Sequence, residues 1–194
     1  WVAALHPEAA NYTDVYYEHH LIGKVPTVMA HCIHLSDVEM DRMAETQTMV
    51  SHCPYSNVNL SSGIAPIRKL FERKIPIGLG SDISGGHIVS MAKVLTEAIG
   101  LSKMKWVEVD QTYVPLTLSE AFYMATKGGG KFFGKVGSFE KGCELDALVI
   151  DDTTLFDPNE RSLEERLERW LYVGDDRHIV ERYVAGKVAP EPTI

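Results

Sequence analysis

The sequence predicts an α/β fold: a parallel sheet with helical crossovers, followed by a smaller β-rich part. Three observations carry this. Short apolar runs alternate with longer segments of helical period, three of those runs end in a polar residue, and the alternation gives way to turn-rich, strand-like sequence near Gly134. Short buried strands separated by helices need crossover connections, which are right-handed and leave the strands parallel.

The elements follow in order. "NYTDVYYEHHLIG" reads as a helix closed by Gly23, the residue that best accepts a left-handed conformation beyond a helix end. "VPTVMAHC" is a short buried strand ending near His31. In "SDVEMDRMAE", Ser36 and Glu39 have the spacing of a capping box, and Val38, Met43 and Ala44 offer an inward stripe. "TMVSHC" is a second strand, ending near His52, and "PYSNVNLSSG" reads as turn-rich. "IAPIRKLFERK" is helical, "IPIGLGSD" is a third strand, and "IVSMAKVLTEAIGLSKMKW" makes a long amphipathic helix. "LTLSEAFYMATKGGGKFFG" opens with another cap, Thr117 and Glu120, and stops in glycines. Beyond it, "KVGSFEKGCELDALVIDD" and "HIVERYVAGKVAP" read as strands and turns flanking the capped helix "SLEERLERWLYVG". The expected division is therefore 1–134 and 135–194. No fixed-period repeat is present, which argues against a solenoid.

Composition narrows the function classes. A net charge of -8, with no Lys/Arg block, argues against nucleic acid as a partner. No apolar run approaches the roughly 20 residues of a membrane span, and no signal-peptide pattern is visible. Three cysteines without framework spacing suit a reducing compartment, so the expectation is a soluble cytoplasmic protein. The chain opens "WVAALHPEAANYTDVYY", without an initiator Met, in what reads as the middle of a longer polypeptide.

His31, His52 and Asp82 each end a predicted strand. Ligands of parallel α/β sheets and barrels bind at the carboxyl ends of the strands, so three such groups on one edge form a candidate site. A carboxylate at the end of a buried strand must be paired, hydrogen-bonded or bound to a metal. Structural alternatives stand beside this reading. Each His could be a satisfied core residue, and Asp82 could cap a helix or accept N–H bonds from "SGG".

Other chemistries fit less well. His31-Cys32 and His52-Cys53 lie on predicted strands, where successive side chains point to opposite faces, so neither makes a nucleophile pair. Glu18-His19-His20 diverge around a predicted helix and read as a solvated face. "GSDISGGH" lacks the spacing and the Lys of a phosphate loop; Gly85 and Gly86 would instead let the backbone pass close to a small, flat ligand.

"VMAHC", "SHCPYSNVNLSSG" and "IPIGLGSDISGGHIVSM", in that order and spacing, resemble the later strands of the amidohydrolase superfamily barrel. Within it, "HCPYSNVNLSSG", "GSDISGG" and "LYVGDDRHIVERYVAGK" are most similar to the guanine deaminases. The resemblance implies the C-terminal part of a (β/α)8 TIM-type barrel plus strands of a small composite β-sandwich. It implies one divalent metal, zinc or alternatively iron, and guanine as small-molecule substrate in a homodimeric full-length enzyme. By resemblance, Asp82 is a metal ligand that touches substrate and takes a proton from the metal-activated water. His31 orients that water, and His52 has a supporting role.

The family's His-x-His pair does not occur here, and no His-x-x-Glu precedes the first predicted strand; the His178-Ile179-Val180-Glu181 match falls in the C-terminal tail, and in His6-Pro7-Glu8 the acid stands too close to the His. The expectation is the C-terminal half of such an enzyme, inactive alone and lined with open strand edges. Two alternatives remain: another deaminase or chlorohydrolase of the superfamily, or a non-catalytic α/β binding module.

Overall fold

The computed structural model describes residues 1–190. The last residues of the expected second segment, 191–194, lie outside the described residues. Among the described residues, sixteen stretches of regular structure begin with helices α1 (Val2–Leu5) and α2 (Tyr12–Glu18). They continue through β1 (Val28–Ala30), α3 (Asp37–Thr46), β2 (Met49–His52), α4 (Pro54–Asn59), α5 (Ile67–Glu72) and β3 (Ile77–Leu79). Next come α6 (Met91–Glu108), α7 (Leu118–Tyr123), β4 (Ala147–Ile150), α8 (Leu163–Val173), β5 (Ile179–Val184) and β6 (Lys187–Val188). A π-helical turn, Met124–Gly128, extends α7, and a 3-10 turn, Asp176–His178, precedes β5.

Strands β1, β2 and β3 form a parallel sheet in that order, with Met29 opposite Val50 and Ser51 opposite Gly78. Three parallel strands joined by helices fit the expected part of a (β/α)8 barrel, whose closure would need further strands. The central strand shows the difference: Met49, Val50 and His52 of β2 are buried, while Val28 and Ala30 on edge strand β1 are exposed. Strands β4, β5 and β6 make a separate antiparallel sheet. Its β5–β6 hairpin turns through Ala185 and Gly186, both at positive φ, the backbone that a two-residue turn with the right twist demands.

One core serves the parallel sheet and the helices around it. Val50 and Ile77 pack with Met40 and Met43 of α3, Leu70 of α5, Leu95 and Ile99 of α6, and Met124. Trp170 and Leu171 of α8 join the same cluster, and that helix packs against α6. Capping boxes form at Ser36–Glu39, Thr117–Glu120 and Ser162–Glu165, satisfying amide groups that a helix start leaves open. Glu39 does more than cap. Its buried carboxylate also accepts bonds from the backbone N–H and hydroxyl of Thr13, which pins α2 to α3. Burial pushes that carboxyl upward, yet the bonds from Ser36 and Thr13 outweigh it and leave the pKa below its ordinary value. Arg68 forms a two-pronged pair with Glu120, at 2.6 and 2.9 Å, joining α5 to α7.

Three local expectations need correction. Helix α2 ends at Glu18 rather than Gly23, and His20 already takes the left-handed backbone at φ 59°. Val38 is 65 % exposed, and the inward stripe of α3 is Met40 and Met43 with Ala44 at its margin. The first part of "PYSNVNLSSG" is helix α4, because Pro54 sits at the first helical position, where its missing N–H costs nothing.

The glycines of the π-helical region bring backbone against backbone. A Cβ on Gly78 would lie 2.8 Å from the Cα of Gly129 and 2.7 Å from Cε of Met49. A Cβ on Gly128 would meet the carbonyl oxygen of Ile77 at 2.7 Å. Met49 can yield, but the Gly129 backbone cannot without moving the helix off β3. Gly78→Ala should therefore destabilise the protein by about 1–3 kcal/mol, the usual cost of overpacking, read as a lower urea midpoint with unchanged slope.

Candidate active site

Parallel pairing places the three strand-end residues on one edge. His31 follows β1 directly, His52 is the last residue of β2, and Asp82 lies three residues beyond β3. The ladder extends past the strand ends, since the His31 N–H donates to the Ser51 carbonyl at 2.9 Å and the Gly80 N–H donates to the His52 carbonyl at 2.9 Å. Nε2 of His31 lies 3.9 Å from Oδ2 of Asp82. The two outer strands thus face their polar termini toward each other across the middle one.

Both residues have unusual backbones. His31 stands at φ 66°, and the Cys32 N–H donates to the Ala30 carbonyl at 2.8 Å, closing a turn around His31. With positive φ at its centre, this is the rare and strained kind of three-residue turn. Asp82 stands at φ 47°. Left-handed backbone costs a residue with a side chain roughly 1–2 kcal/mol, although Asp tolerates it better than most. Strain of this kind gathers where a side chain must be aimed.

Asp82 departs from expectation in one respect. Its side chain is 38 % exposed and that of His31 40 %, so the carboxylate is not buried within this chain. The capping alternatives also fail. Helix α6 is preceded by Ser90 as its N-cap, and among the described residues no group donates a hydrogen bond to the Asp82 carboxylate. Gly86 donates instead to the Asp82 backbone carbonyl, at 2.6 Å. Gly85 and Gly86 are also needed by the loop itself. A Cβ on Gly85 would lie 2.6 Å from Oδ2 of Asp82, and one on Gly86 would lie 2.5 Å from the Ser81 carbonyl oxygen.

The remaining polar groups lie beneath. His52 is 2 % exposed, and its Nδ1 has no partner among the described residues. Asn57 of α4 is fully buried, and its Oδ1 sits 3.0 Å from Nδ1 of His31. Sequence reasoning missed Asn57. Its signal was hidden in a stretch that looks like turn and is helix. His34 is occupied elsewhere, its Nε2 lying 2.9 Å from the Ser62 carbonyl. Burial pushes the Cys32 thiol up to about 12 and raises that of Cys53 as well, so neither supplies a thiolate near neutral pH. Glu18, His19 and His20 are exposed.

His52 carries a stability consequence. Burial, reinforced by the neighbouring His31, lowers its pKa from 6.5 to about 4. The unfolded chain therefore takes up a proton first, and the stability that neutral His52 contributes is complete above pH 6.5 and lost as pH falls toward 4. The loss should reach roughly 3 kcal/mol, since one pKa unit is worth 1.36 kcal/mol. His52→Gln should flatten that part of the stability profile, measured by urea unfolding at successive pH values.

Comparisons with known proteins give the family of the chain. The amidohydrolase family profile matches residues 1–189. Guanine deaminase from Dictyostelium discoideum is 39 % identical over 96 % of this chain, which covers 42 % of that protein. The crystal structure of guanine deaminase from C. acetobutylicum with bound guanine in the active site superposes with a TM-score of 0.92 and 51 % identity, over 96 % of this chain and 44 % of that one. A more distant structure, an adenosine deaminase from Xanthomonas campestris with bound zinc, is 25 % identical with a TM-score of 0.74, over 96 % of this chain and 42 % of that one. The chain thus spans under half the length of the relatives it matches. With a parallel half-sheet, polar groups at its carboxyl edge and a family profile that covers nearly its whole length, the chain belongs to the amidohydrolase family.

Proposed function

We propose that the protein carrying this chain hydrolyses guanine to xanthine and ammonia, with His31 and Asp82 as catalytic groups. The observation that carries the reading is their opposition at 3.9 Å across the carboxyl edge of the sheet, both on left-handed backbone. Similarity to guanine deaminases supports the substrate. Residues 1–134 then form part of the barrel, and 135–194 contribute to a small β-domain. The open edges of β1 and β3 accept the rest of the barrel. Cytoplasmic placement draws on three unbridged cysteines, and the homodimer on the family resemblance.

The family is in general metal-dependent, and the donor chemistry fits in part. The Asp82 carboxylate receives no hydrogen bond among the described residues, leaving its oxygens free for a cation. Those residues contain no cluster of three His, Cys, Asp or Glu able to hold a metal ion. A catalytic zinc takes three protein ligands and keeps one open position, so Asp82 is one ligand and the other donors lie outside this chain. Zinc is the metal we favour over iron, supported by the zinc-bound relative. When bound, such a cation supplies Lewis-acid polarisation and brings the pKa of water to about 7.

The chain's own residues do the rest. Asp82 accepts the proton that the attacking water gives up as its oxygen bonds to the amino-bearing ring carbon. His31 holds that water through Nε2. The exocyclic C–N bond then breaks as Asp82 passes that proton to the departing nitrogen, which leaves as ammonia, and the hydroxyl-bearing ring left behind tautomerises to xanthine.

Substrate profiling of the whole protein against guanine, adenosine, cytosine and a chlorotriazine tests the assignment: guanine turnover should dominate, and its absence would overturn the reading in favour of another activity of the family. Asp82→Asn keeps shape but removes charge and proton acceptor, so turnover should collapse and bound metal should fall. His31→Asn should retain the metal while losing roughly 10²- to 10⁴-fold in rate, the worth of a positioned acid/base group. Full activity in the Asp82 variant would remove it from the mechanism.

A further inference from the structure

We infer that Asn57 is the positioning residue that sets the tautomer of His31; the inference deepens the reading of the site just given and rests on it. Asn57 has 0 % exposure and belongs to a six-residue helix, a place where Asn is a poor helix former and its amide is hard to satisfy. Its Oδ1 lies 3.0 Å from His31 Nδ1, while its Nδ2 has no partner among the described residues. An amide oxygen only accepts, so His31 Nδ1 carries the proton and donates it to Asn57. In a neutral imidazole the other nitrogen is then bare. Nε2, the atom that faces Asp82 at 3.9 Å, presents a lone pair rather than an N–H.

The consequence is directional. With the proton on Nε2, the ring would donate to the Asp82 carboxylate and tie up the acceptor. With the proton on Nδ1, the same ring accepts from a water placed between the two side chains and leaves the carboxylate free. The short helix is what makes this dependable. Pro54 starts α4 immediately after β2, and its first turn carries Asn57 beneath His31, 26 residues away in sequence. An apolar side chain would avoid burying an unpaired amide N–H, so burial alone gives no reason for Asn at this place.

The test needs no turnover. In the whole protein, metal-free and zinc-loaded, the ¹⁵N shifts of the His31 ring distinguish a protonated from a bare nitrogen. At a pH where the ring is neutral, His31 should show Nδ1 protonated and Nε2 bare. In Asn57→Leu that preference should disappear, and in Asn57→Asp, whose carboxylate also only accepts, Nδ1 should stay protonated. With guanine, Asn57→Leu should lose roughly 10- to 100-fold in kcat with little change in KM, the range for a partner that orients a site ligand. A wild-type ring protonated at Nε2, or an Asn57→Leu ring unchanged in tautomer, overturns the inference. If Asn57→Leu does not fold, the wild-type and Asn57→Asp spectra decide it alone. Should guanine prove not to be the substrate, the spectra still report the tautomer, so the two failures are separable.

Discussion

The structure depends on β2 holding β1 and β3 in parallel register. Its backbone pairs on both sides, placing Ala30, Ser51 and Gly78 in one row. From that row the chain needs only one to four residues to bring His31, His52 and Asp82 to the same edge. A shift of one residue in either ladder would turn alternate side chains to the opposite face and break the juxtaposition, because side chains alternate along a strand. Val50, at the centre of β2, is fully buried within the core that secures this register.

The helical layer meets the sheet through missing side chains as much as through present ones. Gly78 and Gly128 let the π-helical turn lie directly on β3, where any Cβ would collide with backbone. Such a turn inserts one extra residue per turn and is found mostly where local geometry is functionally constrained. Here it seats the segment after α7 close against the strand that leads to Asp82. Arg68 and Glu120 hold the other end of α7 to α5, so the layer behind the site is tied at both ends.

Polar groups at the carboxyl edge are arranged in depth. His31 and Asp82 are part-exposed and face each other, Asn57 is buried beside the first, and His52 is buried and held neutral below. The exposed pair has strained backbone and few partners, while the buried groups supply orientation without charge. That division suits a site in which the reacting groups meet solvent and substrate and their supports do not.

The sequence by itself determined the alternation of the three core strands with helices, their parallel sense, the capping boxes at Ser36, Thr117 and Ser162, and the strand-end positions of His31, His52 and Asp82. These follow from local rules: apolar period, cap spacing, and the need of parallel strands for crossovers. Tertiary structure alone decided what those residues meet. It exposed Asp82 instead of burying it, gave Gly85 and Gly86 a part in the loop's own tightness, and moved the inward face of α3 to Met40 and Met43. It also made a helix of Pro54–Asn59 and carried Asn57 to His31. The physical reason is that contacts across 26 residues, and the space left for a Cβ, depend on how distant segments pack, and no local pattern encodes that.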